Sequence, residues 1–291
     1  MMRRVLVVAM FVLGLVATAC SPIGTPPGPA PLRYRDDVFT GVTKTADITY
    51  GSAVNQAGQT VTLRMDMYQP TGDTVAARPA IVWVHGGSFC CGDKTSPELV
   101  DEANYFARKG YVNVSINYRL VASGCPGSDV NACVTGIAQA REDAQTAVRF
   151  LRANASRYRI DSGRIAIGGS SAGAITALNV GYSPENPGPG QWQGHSSAVG
   201  AVQSLSGAEL ASGPIDANDA PALLFHGTAD GAVPYAWATS TVERAEAAGV
   251  LIVLRTWEGA GHVPYTQFRD QILTETRNFF YNQMDLAQAA R

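Results

Sequence analysis

Six short apolar runs rich in valine and isoleucine, at residues 80–84, 111–117, 164–167, 198–204, 222–225 and 250–256, recur along the chain with helix-length stretches between them. Continuous apolar strands must be covered on both faces, so this alternation selects a mostly parallel central sheet with helices on both sides. Residues 61–68 instead alternate with period two, as an outer antiparallel strand does. The clearest helix is 137–153, where Ala140, Ala144, Ala147, Val148 and Leu151 form one stripe. A last helix is expected over 265–283, opened by Pro264, whose fixed φ and missing N–H suit a helix start.

The N-terminus has a different character. Arg3 and Arg4 precede an apolar run at 5–19, shorter than the ~20 residues that span a bilayer but suited to a signal-peptide core. It ends in Ala17-Thr18-Ala19-Cys20, which is similar to a bacterial lipoprotein box and implies lipid on Cys20. The expectation is an exported cell-envelope lipoprotein, touching the membrane only through that lipid. An ordinary small-x-small cleavage site, giving a secreted protein with Cys20 as a plain residue, is the alternative. Residues 20–33, dense in proline and glycine, read as a tether. The remainder, 34–291, reads as one catalytic domain.

Charge and cysteine content narrow the function classes. The formal net charge is −2, and loss of Arg3 and Arg4 with the leader takes it to about −4, which offers no basic field to nucleic acid. Apart from Cys20 there are four cysteines, Cys90, Cys91, Cys125 and Cys133, an even number that fits an oxidising compartment. Three pairings are open, including a local Cys125 to Cys133 loop and bridges from the Cys90/Cys91 pair. Their spacings do not match the usual C-x2-4-C zinc pairs, so no metal is expected.

Four segments carry chemistry. In the first, the run at 164–167 leads into Gly169-Ser170-Ser171-Ala172-Gly173 and then a helical pattern. A serine flanked by glycines at both two-residue positions can sit on a sharp strand-to-helix turn with its hydroxyl outward, which singles out Ser171 over Ser170. In the second, the strand at 80–84 ends in His85-Gly86-Gly87-Ser88. Glycines there let backbone N–H groups approach a developing negative oxygen. The third delivers His226-Gly227-Thr228 and then Asp230, and the fourth places His262 in a glycine-rich loop after 250–256. Of the four histidines, His85 and His226 end strands within motifs of their own and His195 follows a Pro/Gly loop. His262 remains as the base.

Taken in order, these segments resemble the α/β-hydrolase superfamily, and within it bacterial carboxylesterases and feruloyl-esterase-like enzymes that use an HGG-type oxyanion loop. Residues 141–161, which begin Arg-Glu-Asp and end Arg-Ile-Asp, look like the helix that precedes the nucleophile strand in such enzymes. The resemblance implies an α/β-hydrolase fold with little or no lid. It also implies Ser171, Asp230 and His262 as nucleophile, acid and base, and an oxyanion hole from the backbone of Gly87, Ser88 and Ala172. Ser88 stands where the motif usually has a third glycine. The expected reaction is hydrolysis of a small or medium carboxylic ester, aromatic or polymer-derived esters included, through an acyl-enzyme on Ser171 with no cofactor. A serine peptidase of the same fold and a non-catalytic binding lipoprotein are the alternatives. Phe89, Tyr235, Trp237 and Trp257 lie near the motifs and are the candidate substrate-lining aromatics.

Overall fold

The computed structural model describes residues 21–125, 129–183, 188–210 and 213–289, so Cys20 and the leader lie outside the described residues. In chain order the elements are β1 (Val42–Val54), β2 (Thr60–Pro70), β3 (Arg78–Val84), α1 (Pro97–Ala107), β4 (Val112–Ile116) and α2 (Val130–Ala153). Then follow α3 (Ala155–Tyr158), β5 (Ile160–Ser170), α4 (Ala172–Gly181), β6 (Val202–Leu205), β7 (Ala222–Gly227), α5 (Tyr235–Ala247), β8 (Ile252–Trp257), α6 (Tyr265–Gln283) and α7 (Leu286–Ala289). They build an eight-stranded sheet in the order β1-β2-β4-β3-β5-β6-β7-β8. β1 with β2 and β2 with β4 pair antiparallel, and every later pairing is parallel.

The period of two along each strand divides the core. Ala80, Val82 and Val84 of β3 join Ala144 and Val148 of α2 and Ile175 and Leu178 of α4 on one face. Ile81 and Trp83 point the other way, onto Leu99 and Phe106 of α1 and Ile272, Phe279 and Phe280 of α6. Continuous apolar runs thus supply both faces at once, as a parallel sheet between two helical layers requires.

Several boundaries differ from the sequence expectation. β1 has no counterpart in it, because most of its side chains are exposed or half-buried and two register shifts break its alternation. α2 begins seven residues before the expected 137. Its opening turns carry exposed Val130 and Val134 rather than the apolar stripe, and are fixed by the Asp129 side chain accepting from the Ala132 amide at 3.0 Å. β6 starts at Val202 rather than 198. Part of the segment read as a tether lies on the domain. Ile23 packs with the α6 cluster, Asn278 donates to the Ile23 carbonyl at 3.1 Å, and Arg35 donates to the carbonyls of Pro26 and Gly28 at 2.9 and 2.8 Å. Composition set its lack of regular structure, but not its docking. Among the described residues no helix is long and apolar enough to cross a membrane.

Candidate active site

The turn between β5 and α4 carries Ser171 in a conformation few side chains adopt, φ 54° and ψ −120°. Such a backbone costs on the order of 1–3 kcal/mol and persists because its surroundings over-determine it. The Ser171 amide donates to the Leu205 carbonyl at 2.9 Å, and its carbonyl accepts from Ile175 at 3.0 Å as α4 begins. The flanking glycines are needed for approach. A Cβ on Gly173 or on Gly169 would overlap the Val84 carbonyl oxygen, so both positions must stay bare for α4 and β5 to lie against the end of β3.

Two loops at the same, C-terminal end of the parallel strands complete a relay. Asp230 follows β7 and His262 follows β8. His262 Nδ1 lies 2.8 Å from Asp230 Oδ2, and its Nε2 lies 2.8 Å from Ser171 Oγ. A carboxylate only accepts, so the proton sits on Nδ1 and leaves Nε2 free to accept from the serine hydroxyl. The other carboxylate oxygen accepts from the amides of Ala232 and Val233, each at 2.9 Å. Burial alone would raise the Asp230 carboxyl, but the His262 hydrogen bond and those two amides outweigh it and hold it below its ordinary value. The structure therefore brings together all three residues of the expected triad.

The His85-Gly86-Gly87-Ser88 segment leaves β3 and bends beside the serine. A Cβ on Gly86 would stand 3.1 Å from the Ser171 Cβ. Gly87, Ser88 and Phe89 have φ of 113°, 51° and 62°, three successive left-handed residues. Ser88 thus adopts the conformation that a third glycine would take without strain, at roughly 1–2 kcal/mol. Neighbouring groups brace the turn. The Tyr118 hydroxyl donates to the His85 carbonyl at 3.0 Å, and the Cys125 and Val121 amides donate to the carbonyls of Ser88 and Phe89 at 2.8 and 2.9 Å. Among the described residues no acceptor takes the N–H groups of Gly87, Ser88 or Ala172.

Two recesses meet at Ser171. One is an apolar cavity of about 120 Å³ walled by Phe89, Ile137, Ile175, Leu210, Val233 and Trp237, with the Cys125–Cys133 disulfide at its edge. The other is a wider polar depression of about 420 Å³ that holds His262, Gly86, Gly87, Ser96, Glu98 and Ser170. Of the four candidate aromatics, Phe89 and Trp237 line the cavity. Trp257 does not. It is 7 % exposed, stacked between Phe225 and Phe268 with its indole N–H on Gln271 at 3.0 Å, and belongs to the opposite core. Tyr235 is also outside, with its hydroxyl 2.7 Å from Thr256 Oγ1 and its ring edge-on to His226. Cys90 and Cys91 take no part in the Cys125–Cys133 bridge. The apolar walls Ile137, Ile175, Leu210 and Val233 were not among the expected substrate-lining residues, since no local pattern marks them as such.

Strand order and the turn bearing Ser171 place the chain in the α/β-hydrolase class. Within that class it belongs to the BD-FAE family, which matches residues 65–212, and a further match, to TAP-like protein, spans residues 198–282. Phenmedipham hydrolase of Pseudarthrobacter oxydans is 31 % identical over 125 residues, 42 % of this chain and 23 % of that protein. Chlorogenic acid esterase of Aspergillus niger is 30 % identical over 114 residues, 38 % of this chain and 21 % of that protein. The chain thus spans less than a quarter of the length of these relatives. Among solved structures, Thermogutta terrifontis esterase 2 phosphorylated by paraoxon superposes with a TM-score of 0.67 at 25 % identity, covering 86 % of this chain and 96 % of that one.

Proposed function

We infer that the chain is a serine hydrolase of carboxylic esters, acting through an acyl-enzyme on Ser171. The observation that carries this is the continuous relay from Asp230 through His262 to Ser171, ending where an apolar cavity opens. Ser171 Oγ attacks the ester carbonyl as His262 Nε2 takes its proton, while Asp230 holds the imidazole and offsets its positive charge. The amides of Gly87, Ser88 and Ala172 are the donors available to the oxyanion, already fixed before substrate arrives. His262 then protonates the leaving alcohol, which departs through the polar depression, and activates the water that releases the acid.

The cavity sets the acyl class. Drug-sized pockets run to about 300–1,000 Å³, and at about 120 Å³ this one takes a short acyl group. Long-chain fat and large aromatic acids fit it poorly. Among the described residues its walls carry no charged side chain, which favours an uncharged acyl group over a peptide's charged side chains. The alcohol side is open, so bulky or polymer-borne alcohols suit it. Hydrolase and esterase relatives support this reading. The leader at 1–19 supports export and a lipid on Cys20.

A fluorophosphonate probe tests the mechanism, because it needs an activated serine. Labelling at Ser171 in the folded protein is expected, together with loss of short-acyl nitrophenyl ester hydrolysis in Ser171→Ala by about 10⁴-fold or more. An unlabelled Ser171, or activity retained in the variant, would overturn the proposal.

A further inference from the structure

Cys90 and Cys91 follow directly on the turn that presents the Gly87 and Ser88 amides, and both are free. Neighbouring side chains in a chain usually diverge. Here the two sulfurs lie 2.9 Å apart, with Cys91 exposed and Cys90 half-buried. The backbone draws them together, since both cysteine amides donate to the Gly87 carbonyl at 3.0 Å and Cys90 Sγ lies 3.5 Å from the same oxygen. A Cβ on Gly87 would overlap the Cys91 carbonyl, so the cysteine pair and the oxyanion glycine are in backbone contact. Behind Cys90, a Cβ on Gly124 would stand 2.8 Å from its sulfur, so the thiol packs against bare glycine backbone. An exposed thiol fills no core, so packing gives no reason for Cys91 to face its neighbour.

We propose that Cys90 and Cys91 form a redox modification site, a dithiol that closes to a vicinal disulfide and stiffens the turn bearing Gly87 and Ser88. Closure itself does not depend on the esterase reading, whereas its effect on turnover rests on it. The oxidant is a small-molecule disulfide. The Cys91 thiolate attacks one sulfur of that disulfide, forming a mixed disulfide and releasing one thiol, which takes the Cys91 proton. The Cys90 sulfur then attacks the Cys91 sulfur, closing an eight-membered ring and displacing the second thiol, which takes the Cys90 proton. The two cysteines lose two electrons and the small disulfide gains them. The ring contains the 90–91 peptide unit, whose Cys91 N–H donates to the Gly87 carbonyl, so closure restricts the turn that presents the Gly87 and Ser88 amides.

The test treats the full chain, with Cys125–Cys133 intact, with glutathione disulfide, then alkylates it and weighs the peptide carrying residues 90 and 91. The expected peptide is two hydrogen masses lighter than the dithiol and takes no alkyl group. A peptide alkylated at both cysteines, or one carrying only glutathione adducts, would overturn the closure. In parallel, kcat on a nitrophenyl acetate is expected to fall about threefold when the pair is selectively reduced, far less than the 10²–10³ lost with an outright oxyanion donor. Cys91→Ser, and Cys90→Ser as a second variant, should show no redox response. A closed ring with unchanged kcat would overturn the coupling to the turn. Fluorophosphonate labelling of Ser171 in both redox states separates that result from a failure of the esterase reading, in which labelling is lost in both.

Discussion

His226 Nε2 lies 3.3 Å from Asp230 Oδ2, the same oxygen that accepts from His262, and 2.9 Å from the Val233 carbonyl. Two imidazoles therefore converge on one buried carboxylate. A carbonyl only accepts, so His226 carries its proton on Nε2, where it also faces the carboxylate and helps fix its orientation. Burial lowers the affinity of His226 for a second proton, only partly offset by the Val233 hydrogen bond and the Asp230 charge, and the ring stays neutral.

The pH dependence of stability follows from that depression. Below about pH 6.5 the unfolded histidine gains a proton that the folded one resists, so stability rises with pH through this window and is lost on acidification. His85, lowered first by burial, acts in the same sense. In His226→Gln the slope of the urea midpoint between pH 5 and 7 should shrink, and kcat should fall about tenfold or more as Asp230 and His262 lose register. An unchanged slope with wild-type kcat would show that His226 serves neither role.

The meeting of Ser171, Asp230 and His262 was legible in sequence because each sits in a short local pattern after a strand, and the apolar runs fixed those strand ends. Ser171 was singled out by its flanking glycines together with the apolar strand before them, and the contacts that Gly169 and Gly173 make with Val84 are the physical reason for those glycines. Placement of aromatics was not legible. Phe89 and Trp257 stand equally close to motifs, yet one walls the cavity and the other is stacked in the opposite core. What separates them is which face of the sheet each loop turns toward, a tertiary property. β1 and the docked N-terminal segment escaped as well: β1 is mostly exposed or half-buried with two register shifts, and the docked residues bond to Asn278 and Asn282 of α6, far away in sequence, so local periodicity reports neither.

Trp237 offers a direct handle on acyl length. It opens α5, is 44 % exposed, and forms one wall of the apolar cavity. Each methylene buried there is worth about 0.8 kcal/mol, or about fourfold in kcat/KM, until the cavity is full. A nitrophenyl ester series should therefore climb from acetyl and then drop. Trp237→Ala should move the maximum to longer chains and leave acetyl turnover near wild type. The same maximum in both proteins would place the acyl group elsewhere.

Glu102 is the clearest cost in the fold. It lies on α1, is 2 % exposed, and its Oε1 has no hydrogen-bond partner among the described residues. Burial, reinforced by the charges of Glu98 and Asp101, pushes its carboxyl well above the ordinary glutamate value. The folded chain thus keeps a proton that the unfolded chain releases near pH 4.3, so the stability tied to that proton is complete below this value and is lost as pH rises. Glu102→Gln keeps the shape of the neutral acid and cannot ionise. At pH 8 the variant should melt higher than the wild type, by about 2–4 °C for each kcal/mol relieved. At pH 4 the two should melt together, since both carry a neutral side chain there. A difference in melting temperature that stays constant between pH 4 and pH 8 would mean that the charge of Glu102 is not what limits the stability of this helix.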